Sequence, residues 1–183
     1  MARITAGIAE CRVSADPQDV LVALGLGSCV GVALFDPHAS VAGLLHVMLP
    51  ERPAAVEGPA ARRAATTQDD PLTKYADSGV PELVAAVTRL GAVPWRLKAA
   101  IGGGAMMFKS VSSAGMNIGL RNAEAVAAVL QQMRIPLVAT ATGGTAGRTM
   151  SLYVDTGRVT VREAGGTETE IAVLSSVARA VTA

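Results

Sequence analysis

Two side chains, Cys29 and His46, form the pair whose types and spacing could do covalent chemistry. A thiolate is a strong nucleophile, and an imidazole within hydrogen-bond reach can take the thiol proton and pass it to a leaving group. Cys29 closes the run Gly25-Leu26-Gly27-Ser28-Cys29. Glycines directly before a nucleophile let successive backbone N–H groups point at one spot with no Cβ in the way, and such a nest can hold an oxyanion. Gly27, Ser28 and Cys29 are the candidate backbone donors. Taken alone, Cys29 reads first as a small core hydrophobe, the usual state of a free cysteine. A reactive thiol needs a partner that lowers its pKa.

His46 is the candidate partner. It sits in the apolar run Leu44-Leu45-His46-Val47-Met48-Leu49, where an imidazole without a polar neighbour is costly to bury. Either a functional partner or a hydrogen-bonded core site must receive it. Opposed residues of an antiparallel hairpin share one index sum, and pairing Cys29 with His46 centres the turn on Pro37-His38, inside the turn-favouring stretch Asp36 to Ser40. A slip of one residue would put His46 on the other sheet face. Other residues of these types offer less. His38 occupies a turn position where an exposed polar residue is ordinary, and Cys11 lies on a first strand candidate as a packing thiol. Gly102 to Gly104 lacks the Lys-Ser/Thr of a phosphate loop and the spacing of a dinucleotide fingerprint. Met106, Met107 and Met116 read as gap-filling core residues or as an adaptable exposed face.

The elements that must position this pair follow from periodicity. Val20 to Leu26 is a predicted strand ending in the glycine-rich turn, and Cys29 to Phe35 and Val41 to Leu49 are apolar runs that form a buried hairpin. From about residue 50 to 73 the composition shifts to Pro, Ala, Arg, Thr and Asp without periodicity, which predicts a mobile surface loop bordering the site. Val80, Leu83, Val84, Val87 and Leu90 recur at helical spacing, with Gly91 as the stop. Trp95 to Ile101 and Ile135 to Thr142 are predicted strands, and Asn117 to Met133 is a second helix. Thr149 to Val154 and Arg158 to Glu163 flank Asp155-Thr156-Gly157 as a second hairpin. Thr169 to Val181 is ambiguous between strand and helix. The fold class is therefore mixed α/β (α+β), a largely antiparallel sheet arrangement covered by helices.

A chain of 183 residues fits one domain. No apolar run is long enough to span a bilayer, and the N-terminal segment has no export pattern, so a cytoplasmic location is expected. A formal charge of +1 with no dense basic patch leaves nucleic-acid binding without an electrostatic footprint. Two cysteines and two histidines at these spacings supply no metal cluster, and neither a cofactor nor a redox role is expected.

At Cys29 and His46 the sequence resembles the chemoreceptor glutamine deamidase (CheD) family, whose signature is Gly-x-Gly-Ser-Cys, an Asp-Pro turn, and a His before Met-Leu-Pro. Here the matching segments are GLGSCVGVALFDP and GLLHVMLP. KYAD (Lys74 to Asp77), IGGGAMMF (Ile101 to Phe108), GMNIGLRNAEAV (Gly115 to Val126) and the TGG at Thr142 to Gly144 extend the likeness from about Val20 to Arg162. The resemblance implies a layered sandwich fold and hydrolysis of glutamine side chains on methyl-accepting chemotaxis receptors. It implies Cys29 as nucleophile, the Gly27 to Cys29 nest as oxyanion site, and His46 as base. It also implies a second partner, the CheC-type phosphatase of the chemotaxis response regulator. One departure stands out: the family pattern has Thr six residues before the nucleophile, proposed to orient the histidine, and this chain has Ala23. A catalytically weak binding module for receptors and the phosphatase is therefore the alternative to an active enzyme. A transglutaminase-like Cys/His enzyme acting on another protein is a broader one.

Overall fold

The computed structural model describes residues 2–53, 70–106 and 117–175. In chain order its elements are β1 (Ala2–Ala6), β2 (Cys11–Ser14), β3 (Asp19–Leu26), β4 (Val30–Asp36), β5 (Val41–Val47), α1 (Ala76–Arg89), β6 (Lys98–Gly103), α2 (Ile118–Gln132), β7 (Leu137–Thr142), β8 (Arg148–Tyr153), β9 (Arg158–Glu163) and β10 (Glu168–Val173). The strands form two five-stranded sheets, ordered β1-β3-β8-β9-β10 and β2-β5-β4-β6-β7. Among these strands, β1 pairs with β3 and β6 with β7 in parallel, and the other pairs are antiparallel. The expected α+β class and the largely antiparallel sandwich both hold.

The second sheet is the middle layer, which explains why its central strands read as unbroken apolar runs. Every residue of β4 and β5 is buried, as strands covered on both faces require. One face carries Val30, Val32, Leu34, Leu45 and Val47 against Val80, Leu83, Val126 and Leu130 of the two helices. The other carries Ala33, Phe35, Ala42 and Leu44 against Leu21, Ala23, Leu26, Met150 and Leu152 of the first sheet. Each such Val, Leu or Phe contributes roughly 1.5–3 kcal/mol of burial free energy. A slip that moved β5 by one residue would therefore forfeit both interfaces at once.

The turn between β4 and β5 fixes their register. Val30 pairs with Val47, Gly31 with His46 and Asp36 with Val41, leaving a four-residue loop, Pro37 to Ser40, that ends with Ser40 at a φ of 52°. The expected pairing of Cys29 with His46 is thus displaced by two residues, because the loop holds four residues where the sequence reading centred it on two. Asp36 builds this loop. Its fully buried carboxylate accepts hydrogen bonds from the amides of His38 (2.9 Å) and Ala39 (3.3 Å) inside the turn. It also accepts from the Val93 amide at 2.8 Å and pairs with Arg96 at 2.8 Å. Burial pushes the carboxyl pKa up, but the Arg96 guanidinium and the three amides outweigh it and hold the group at about 2, against an ordinary 3.8.

Several boundaries differ from the sequence reading. Pro94 to Arg96 form a 3-10 turn in place of the start of a strand, and Trp95 is 83% exposed. Proline fixes φ and lacks an N–H, so it begins a helical turn more readily than a ladder. Gly102 and Gly103 belong to β6, so only Gly104 of the glycine run lies in a loop. The second helix starts one residue later than read, with Asn117 as its N-cap accepting from the Leu120 amide at 3.1 Å. The ambiguous C-terminal stretch begins as strand β10. The mobile loop expected at 50–73 falls largely on residues 54–69, and Met107 and Met116 likewise lie outside the described residues.

Replacing Asp36 with Ala should cost about 3 kcal/mol or more in denaturant unfolding, because it leaves Arg96 and three amides without their acceptor. In the wild-type chain the same group contributes stability present above pH 3.8 and lost as pH falls toward about 2. A loss of under about 1 kcal/mol in the Asp36→Ala protein would show that the turn is held by other contacts.

Candidate active site

β5 delivers His46 to the space between the sheets. Ala42 and Leu44, two and four residues before it, pack into the inter-sheet core, and strand alternation puts His46 on the same side. Its cross-strand partner Gly31 points the same way: a Cβ there would lie 2.9 Å from Met150 Sδ and 3.0 Å from Leu26 Cδ1 of the first sheet. The His46 side chain is 1% exposed. Its backbone is also pinned, the amide donating to the Glu10 carbonyl at 3.0 Å and the carbonyl accepting from the Ala9 amide at 3.0 Å.

Cys29 stands one residue before β4, half-buried against the same inter-sheet core. It continues β4 to the position diagonal from His46 across Gly31, where backbones in a regular ladder stand about 7–8 Å apart. Because the displacement from the expected register is two residues, parity is kept and the two side chains share one face. The site is dry. Neither His46 ring nitrogen makes a hydrogen bond; burial lowers the imidazole pKa below 6.5, opposed by the pull of the nearby Ala6 backbone. Burial likewise raises the Cys29 thiol pKa above 9.0, opposed by its own amide. At neutral pH the Cys29 thiol and the His46 imidazole therefore both rest uncharged.

The turn that carries Cys29 is held by its carbonyls. Leu24 and Gly25 interrupt the β3–β8 register, with Gly25 at a φ of 65°, where glycine carries no Cβ penalty. The carbonyls of Gly27, Ser28 and Cys29 accept in turn from the Ala105 amide (2.7 Å), Asn122 Nδ2 (2.9 Å) and the Gly104 amide (2.8 Å). The Gly27 amide itself donates to the Gly25 carbonyl at 2.9 Å. Of the backbone donors expected from sequence, Gly27 is thus committed within the turn.

Cys11 pairs with Leu45 in the β2–β5 ladder and packs on the helix side of the sheet, the face opposite His46. His38 is exposed in the Asp36 turn. Among the described residues no group of three His, Cys, Asp or Glu side chains could hold a metal ion, and no helix is long and apolar enough to cross a membrane. Sequence reasoning missed Asn122. The signal was present: Asn122, Val126 and Leu130 recur every four residues on the buried face of α2, so a polar side chain stands in an apolar stripe.

A family model described as CheD chemotactic sensory transduction matches residues 48–163. The probable chemoreceptor glutamine deamidase CheD of Desulforamulus reducens is 42% identical over 168 residues, covering 90% of this chain and 92% of the relative. The chemoreceptor glutamine deamidase CheD of Thermotoga maritima is 43% identical over 162 residues, covering 88% and 92%. Among solved structures, the hypothetical protein YfiH of Bacillus licheniformis aligns with a TM-score of 0.42 at 15% identity, over 72% of this chain and 49% of that protein.

The buried, unpartnered imidazole sets a pH dependence of stability. Its folded-state pKa lies below 6.5, so the unfolded chain takes up the proton first, and the contribution present above pH 6.5 is lost as pH falls through the folded value. Thermal unfolding from about pH 7.5 to 5 should show a fall in Tm that His46→Gln flattens. An unchanged slope in the variant would contradict the buried neutral imidazole.

Proposed function

The chain belongs to the CheD family, and on that premise we propose that it is a protein-glutamine glutaminase, hydrolysing selected glutamine side-chain amides of methyl-accepting chemotaxis receptors to glutamate and ammonia. The observation that carries this reading is the placement of Cys29 and His46 on one face of the middle sheet, diagonal across Gly31. The low pKa of His46 leaves it free to accept a proton at neutral pH. It takes the thiol proton as the Cys29 sulfur attacks the amide carbon; the C–S bond forms and the carbonyl electron pair moves onto oxygen. The Ser28 and Cys29 amides donate to that oxyanion. Collapse expels ammonia, which leaves with the proton from His46. A water then gives a proton to His46 and attacks the thioester carbon, and the departing Cys29 thiolate recovers that proton. The net change is amide plus water to carboxylic acid plus ammonia.

Ala23 cannot orient the imidazole by a hydrogen bond. Ala6 pairs with Ala23 in the parallel β1–β3 ladder, which puts the β1 backbone beside that position; a backbone carbonyl that closes on the ring when substrate binds would take the orienting role. A CheC-type phosphatase is the proposed regulatory partner, by family membership alone. Ala23 is also the observation that favours the second reading, a weakly active binding module.

Peptide mass spectrometry on receptor cytoplasmic domains should detect Gln-to-Glu conversion with the wild-type protein and none with Cys29→Ala, while Cys11→Ala retains most activity. Equal activity in Cys29→Ala would sink the assignment. Ala23→Thr should raise kcat about tenfold at constant KM, the size of one neutral hydrogen bond, roughly 1.4 kcal/mol, acting in the transition state. If it is no faster while wild type is active, the Ala6 backbone suffices. If both proteins are inactive on every receptor tested while a CheC-type partner still binds, the binding module is the better reading.

A further inference from the structure

We propose that Asn122 is the positioning residue of the Cys29–His46 pair, a single side-chain amide that sets the distance between the two strands' catalytic ends; the inference rests on the dyad reading above. Its Nδ2 donates to the Ser28 carbonyl at 2.9 Å and to the Met48 carbonyl at 2.9 Å. Ser28 directly precedes the nucleophile, and Met48 lies two residues beyond His46. Both N–H donors of one planar amide are thereby spent, one on each arm of the site. A residue retained only for packing would have no reason to be polar here. Asn122 is fully buried on the apolar face of α2, and its Oδ1 has no hydrogen-bond partner, which burial ordinarily penalises.

The helix that carries Asn122 is itself docked on the same turn. Gly119 lies so close to the β6 end that a Cβ would sit 2.5 Å from the Gly104 carbonyl oxygen and 2.7 Å from that of Ala105. The Gly104 and Ala105 amides are the ones that bond the Cys29 and Gly27 carbonyls. Backbone contact therefore fixes where α2 stands relative to the turn, and Asn122, three residues along, carries that fixed distance across to the end of the His46 strand. With all three turn carbonyls bound to Ala105, Asn122 and Gly104, a peptide flip that would reverse the Ser28 and Cys29 amides is blocked. A misplacement of about 1 Å at such a site can cost on the order of a hundredfold in rate.

The test separates positioning from folding through the coupling between the two side chains. Iodoacetamide labelling of Cys29, read by peptide mass spectrometry, is measured in the full chain with and without His46→Ala, in the wild-type, Asn122→Asp and Asn122→Ala backgrounds. Thermal unfolding is followed in parallel. In the wild-type background His46→Ala should slow labelling, about tenfold or more. In Asn122→Asp, which keeps the shape but presents a carboxylate to two carbonyls, and in Asn122→Ala, which removes the amide without adding charge, the same change should have less than about a twofold effect. Receptor deamidation should fall about 30-fold to 100-fold in kcat with KM nearly unchanged in whichever variant folds. Full coupling in a folded Asn122 variant overturns the proposal. If His46→Ala leaves labelling unchanged in the wild-type background, the dyad reading itself fails and the proposal falls with it. If neither Asn122 variant folds, Asn122 is a stability residue and the proposal is likewise overturned.

Discussion

The register of the β4–β5 hairpin is the constraint on which the site depends. Strand alternation gives each residue one of two faces, and β5 must place Leu45 and Val47 on the helices while Ala42 and Leu44 meet the first sheet. His46 inherits its direction from that arrangement. The Asp36 carboxylate sets the phase by bonding the turn it begins to the Val93–Arg96 segment. The free energy that fixes the register thus comes from two cores and the Asp36–Arg96 ion pair.

Around that frame the chain uses main-chain groups where a side chain could have served. The Cys29 turn is fastened through its carbonyls. The histidine is pinned at both backbone atoms by the Ala9–Glu10 turn, and Ala6 pairs with Ala23 in the neighbouring β1–β3 ladder. Burial dominates the electrostatics of the two groups: it lowers the imidazole pKa and raises the thiol pKa, so both rest uncharged at neutral pH.

Much of this was legible in the sequence. The strand assignments at Val20 to Leu26, Val41 onward and Arg158 to Glu163, and the helix over Val80 to Leu90, followed from apolar spacing alone. Parity between Cys29 and His46 was readable because a turn signal lay between two apolar runs. The displacement by two residues was not, since Asp36 closes a four-residue loop through partners near Val93, far away in sequence. The 3-10 turn at Pro94 hid behind an apolar stretch that propensity reads as strand. The Asn122 clamp depends on a helix docking against a distant turn through Gly119 and Gly104, which local periodicity marks only as one polar residue on a buried face.

The central claim is that Cys29 carries the acyl group of a substrate glutamine. A single-turnover reaction with a receptor cytoplasmic domain, quenched in acid within the first turnover and digested for mass spectrometry, addresses it directly. If Cys29 is the acyl carrier, a receptor peptide joined to the Cys29 peptide with loss of ammonia appears before free glutamate product and decays as that product forms. Conversion of glutamine to glutamate with no adduct at Cys29, or with the adduct on Cys11, would contradict it.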